Sequence, residues 1–116
     1  MAEGLSKISQ RGGSGVKIYD ILRNKEFVAG AHAKDVLEDT STHKVLTVTI
    51  DAGAQIPPCT MGSHTLFFVV EGEGTIRVGS DTRDIAPGQI VSIEPGIERN
   101  IKAETKMVVL AIQIHG

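Results

Sequence analysis

Apolar and polar residues alternate with a period of two through most of this chain, and no stretch sustains the 3.6-residue spacing of an amphipathic helix. In residues 44–50, KVLTVTI, one row holds Leu46, Val48 and Ile50 and the other holds Val45, Thr47 and Thr49. A strand there presents one fully apolar face and one mixed face. Residues 106–114 repeat the pattern, with Val108, Leu110, Ile112 and Ile114 in one row. TLFFVVE, residues 65–71, is apolar in both rows, which predicts a strand covered on both sides.

The punctuation between these runs agrees with a chain of strands. Asp39, Thr40, Ser41 and Thr42 separate residues 31–38 from 43–51 and predict a hairpin. Gly72-Glu73-Gly74 reads as a hairpin turn into TIRVG, and further turns fall at residues 79–81, 86–88 and 95–96. Pro57 and Pro58 cannot donate ladder hydrogen bonds, so they belong at a sheet edge or a strand start, with residues 59–61 expected as a short strand after them. Turn signals at roughly 8–12-residue intervals argue for an all-β sandwich or barrel. Residues 1–15, which end in GGSG, are expected to be a flexible tail, and residues 16–116 a single barrel domain. Within it, residues 22–27 form a turn or one helical turn.

Composition narrows the function more than it defines it. At 116 residues the chain is long enough for one core, and with three Phe, one Tyr and no Trp that core must be built mainly from Val, Ile, Leu and Ala. Twelve basic residues against fourteen acidic ones, with no basic block, speak against nucleic acid as a partner. A single cysteine, Cys59, excludes an internal disulfide, and the first residues lack a secretory pattern, so the expected location is the cytoplasm. No apolar run approaches the ~20 residues of a membrane helix, and no membrane association is expected.

Residues 53–103 resemble the two sequence motifs of the cupins, small jelly-roll β-barrels. The resemblance rests on Pro57-Pro58, on FFVVEGEGTIRVG at residues 67–79 and on APGQIVSIEPG at residues 86–96. It implies a double-stranded β-helix and a site inside the barrel. Cupins usually hold one metal ion with two His and a Glu from the first motif and a His from the second. In this chain those positions are Cys59, Met61, Thr65 and Arg99, and the Asn that often ends the second motif is replaced by Ala103. None of the usual ligands is present. Thr is a poor ligand and Arg a permanent cation that repels metal.

The expected pocket therefore comprises Cys59, Met61, His64, Thr65, Phe67 and Arg99, and two accounts of it stay open. In the first, Cys59 and Met61 are soft packing residues, no metal or other cofactor is expected, and Arg99 meets either a protein carboxylate (Glu71, Glu73 or Glu94) or an anionic ligand. The protein then binds a small, partly apolar and anionic molecule. In the second, Cys59, Met61 and His64 hold a soft or transition metal ion (Cu, Zn or Fe) in an enzyme of oxygenase or isomerase type. No catalytic residue can be named. Small cupins often pair, and the doubly apolar TLFFVVE strand fits a homodimer.

Overall fold

The computed structural model describes residues 10–13, 15–23 and 25–115. Those residues form eleven strands and no helix: β1 (Gln10–Gly13), β2 (Val16–Tyr19), β3 (His32–Asp39), β4 (His43–Ile50), β5 (Gln55–Cys59), β6 (His64–Glu71), β7 (Gly74–Val78), β8 (Asp81–Ile85), β9 (Ile90–Ile93), β10 (Arg99–Ala103) and β11 (Met107–Ile114). β1 and β2 pair with each other. The rest make a five-stranded sheet in the order β3-β4-β11-β6-β9 and a four-stranded sheet in the order β5-β10-β7-β8. All pairings are antiparallel.

Alternation places the core between these two sheets. Leu46, Val48 and Ile50 of β4, Phe67 and Val69 of β6, Ile93 of β9, and Met107, Val109 and Ala111 of β11 point inward from one sheet. Ile56, Ile76, Ile85, Ile101 and Ala103 meet them from the other. The expected hairpin over residues 31–51 is β3 with β4, and Pro57 and Pro58 lie, as anticipated, in an edge strand.

Three expectations need correction. The strand near the prolines is Gln55–Cys59 rather than residues 59–61, because edge pairing with β10 tolerates the missing N–H groups. Gly72-Glu73 does not turn a hairpin. β6 pairs with β9 and β11 while β7 pairs with β8 and β10, so the chain crosses from one sheet to the other there. Of the expected tail, residues 1–9 and 14 lie outside the described residues, but Gln10–Gly13 pair with β2.

The outer faces of the two sheets differ. The four-stranded sheet carries a polar network in which Arg77 donates to Asn100 at 3.1 Å and Asn100 to Gln55 at 3.4 Å. On the five-stranded sheet the outer face is largely apolar on β6 and β11 and mixed on β4. One end of that face is covered by residues 25–29: Thr49 donates to the carbonyl of Glu26 at 2.7 Å, Lys25 pairs with Glu71, and the Lys106 ammonium sits 5.2 Å from the Phe27 ring centroid. Thr47, Thr49 and Val108 are thereby buried although they face away from the core. Gly30 N–H donates to Asp51 at 2.7 Å and holds its carboxyl below the ordinary range, which ties the segment down.

Candidate functional site

The second half of the barrel interior is set by an irregularity at the two prolines. Opposite β10, Arg99 pairs with Cys59 and Ile101 with Ile56, so β5 holds one residue more than β10 over this stretch. That extra residue is a β-bulge, and it shifts the alternation by one. Ile56 points into the core, and Cys59 shares the face of its cross-strand partner Arg99. Without the bulge a side chain three positions after Ile56 would face outward. Cys59 remains exposed, at the rim.

Arg99 is the unusual residue of the interior. Only 2% of it is exposed, and it follows the inward phase of Ile101 and Ala103. Its Nε–H donates to the carbonyl of Ile97 at 2.9 Å, which fixes the plane of the guanidinium. Nη1 and Nη2 are buried and have no hydrogen-bond partner among the described residues. The three carboxylates anticipated for it are elsewhere: Glu71 is engaged by Lys25, and Glu73 and Glu94 are exposed. Desolvation pulls the Arg99 pKa below its ordinary value, with the nearby Cys59 acting in the opposite direction. An arginine does not neutralise readily, so a fixed positive charge stands in the interior without a carboxylate partner among the described residues.

The other expected pocket residues divide. Thr65 (0% exposed) and Phe67 (8% exposed) follow the inward phase of β6. The Thr65 hydroxyl has one weak contact, to the carbonyl of Ser63 at 3.5 Å. Met61 is half-buried in the turn before β6, where its carbonyl accepts from Gly96 N–H at 2.9 Å. His64 does not belong to the pocket. It precedes Thr65 by one position, faces outward and shares a 2.7 Å hydrogen bond between its Nε2 and Ser92 Oγ.

That separation undoes the Cys59, Met61 and His64 set, since the imidazole lies on the opposite face of the sheet from the interior. Among the described residues no group of three or more His, Cys, Asp or Glu could hold a metal ion. The four positions that correspond to cupin ligands offer a thiol, a thioether, a hydroxyl and a guanidinium. A hard or borderline divalent ion fits that donor set poorly, and the fixed cation would repel it.

One feature of the interior was not anticipated. Between the edges of the two sheets, at β8 and β9, lies an open cleft of about 540 Å³ lined by the apolar Ile76, Val78, Ile85 and Val91 and by polar residues that include Asp81, Arg83 and Asp84. Val78 is the cross-strand partner of Arg99 on β7. Arg99 is not itself part of the cleft's lining; on its strand it lies between Cys59 at the rim and Val78, which lines the cleft.

The sequence profile of the cupin domain matches residues 46–113, more than half of the chain. The protein belongs to the cupin family. A search of curated proteins finds no match. Among solved structures, this cupin is similar to a conserved protein of unknown function from Streptococcus pyogenes, with 16% identity, a TM-score of 0.79, and coverage of 97% of this chain and 96% of the other. An RmlC-like cupin from Desulfovibrio desulfuricans is 20% identical over 85% of this chain and 96% of its own, with a TM-score of 0.79. A salicylate 1,2-dioxygenase from Pseudaminobacter salicylatoxidans is 18% identical over 75% of this chain and 27% of its own, with a TM-score of 0.69. At these identities the likenesses concern the fold.

Proposed function

We propose that this cupin is a binding module for a small anionic molecule, held inside the barrel by Arg99. The observation that carries this reading is the pair of buried, unpartnered guanidinium nitrogens. An unpaired buried charge costs roughly 3–5 kcal/mol, a burden that a bound anion relieves by supplying the missing acceptor. A carboxylate or phosphate matches the two parallel N–H donors that Nη1 and Nη2 present while Nε stays on Ile97. Thr65 is a second inward polar group available to such a ligand.

The test is the melting temperature of the purified protein in acetate, formate or phosphate against chloride at equal ionic strength. At least one of these anions is expected to raise it, since a ligand that binds only the folded state stabilises that state. His64→Ala should leave the response unchanged, because that side chain is on the outer face. Identical melting in all four salts would rule out the reading.

We also propose that the protein works as a homodimer in the cytoplasm. The support is the contrast between the two outer sheet faces. Beyond the part covered by residues 25–29, the five-stranded sheet presents Leu66, Phe68 and Val70 of β6, Leu110 and Ile112 of β11, and Ile90, which is 64% exposed. An isologous contact lets this row cover itself, which a single chain cannot do. Light scattering should give twice the chain mass, and a monomeric mass up to high concentration would refute the dimer.

A further inference from the structure

We infer that the ligand of Arg99 is a monocarboxylate with an apolar body, and that the body lies in the cleft between β8 and β9; this rests on the anion-binding reading above. Three observations lead there. The first is charge. One guanidinium carries one positive charge, and Arg83, the cation among the described residues that line the cleft, is already held by Asp81 through Nε at 3.1 Å and Nη2 at 3.0 Å. Asp81 and Asp84 also line the cleft, so its rim is net negative. A phosphate monoester would bring a second negative charge with no partner, whereas a carboxylate brings a single one.

The second is shape. The Arg99 guanidinium offers only its Nη end, since Nε is engaged. Two parallel N–H donors on one edge match the two oxygens of a planar carboxylate.

The third is the surroundings. Arg99 and Val78 are directly opposed on neighbouring strands, so their Cβ atoms are about 4.5–5.5 Å apart. Val78 belongs to the wall of the cleft, together with Ile76, Ile85 and Val91. Val78 is thus the cleft residue next to Arg99, and the proposed ligand runs from Arg99 past Val78 along the apolar part of the cleft wall. The cleft, at about 540 Å³, is of ordinary ligand size.

Calorimetric titration of acetate, butanoate, hexanoate, hexanol and hexyl phosphate into the full chain tests this. Affinity is expected to rise from acetate to hexanoate, up to about fourfold per methylene where the chain is fully buried. Hexanol and hexyl phosphate should each bind at least about tenfold more weakly than hexanoate. Arg99→Gln should lose both acetate and hexanoate. Val78→Thr, a near-isosteric change, should reduce the gain from acetate to hexanoate.

Preference for hexyl phosphate over hexanoate would overturn this inference while leaving anion binding intact. Equal affinity for acetate and hexanoate would likewise remove the cleft from the site. Failure of the folded wild type to bind any of the acids or the phosphate would overturn the anion-binding reading together with this one.

Discussion

Arg99→Met is expected to make the ligand-free protein more stable, by roughly 1–4 kcal/mol, and at the same time to abolish its response to anions. A structural arginine would behave in the opposite way. Nη1 and Nη2 are buried without partners, so the native state carries the desolvation of a charge and recovers only the Nε bond to Ile97. Methionine keeps a flexible stem in the same space and removes the charge. The freed Ile97 carbonyl costs about 1 kcal/mol, less than the charge it replaces. Urea unfolding in dilute chloride measures the difference. Destabilisation of about 2 kcal/mol or more would show that Arg99 is a strut of the fold rather than a group kept for a ligand. Natural proteins accept such local costs where function requires them.

The second large effect concerns the crossing between the sheets. Gly74→Ala should cost roughly 3 kcal/mol or more, because a Cβ there would lie 2.2 Å from the Lys102 carbonyl oxygen and 2.9 Å from Met107 Sδ. The first contact is with backbone held in the β7–β10 ladder, which cannot step aside without breaking pairing. Gly72 is as crowded, with a would-be Cβ 2.1 Å from the Lys106 carbonyl oxygen at a φ of +83°. Gly62 is the control: nothing lies within 4 Å of an added Cβ, and Gly62→Ala should stay within about 0.5 kcal/mol of the wild type. Thermal unfolding of the two variants separates the cases. Equal stability would mean that β7 and β10 approach less closely at Gly74 than described.

How much of this could be read from the residues depends on how local each cause is. Inward and outward rows are local, and Leu46, Val48, Ile50, Phe67 and Val69 all point where alternation puts them. The same parity already places His64 on the face opposite Thr65, so its inclusion in the pocket went against a signal that was present. Strand partners are not local. Gly72-Glu73-Gly74 has the chemistry of a hairpin, and nothing in three residues distinguishes turning back in one sheet from crossing to the other.

The site follows the same division. Arg99 was legible as an inward cation through the family motif, and the bulge at Pro57-Pro58 supports the matching placement of Cys59. Its lack of a counter-charge was not legible, because it depends on where the assembled sheets put Glu71, Glu73 and Glu94: the first beside Lys25, the other two exposed. The cleft was missed for a similar reason. Ile76, Val78, Ile85 and Val91 are all recognisable as apolar strand positions, but only the assembled sheets bring the edges of β8 and β9 to face each other.

The most direct measurement is the nitrogen-15 NMR of the arginine guanidinium groups during an acetate titration, with the Arg99 signals assigned by their loss in Arg99→Met. The account predicts that the Arg99 Nη signals shift and saturate while Nε, bound to Ile97, moves little and the surface arginines Arg23 and Arg83 stay in place. Arg99 signals that do not move at all, or that move no more than those of Arg83, would contradict an anion site inside the barrel.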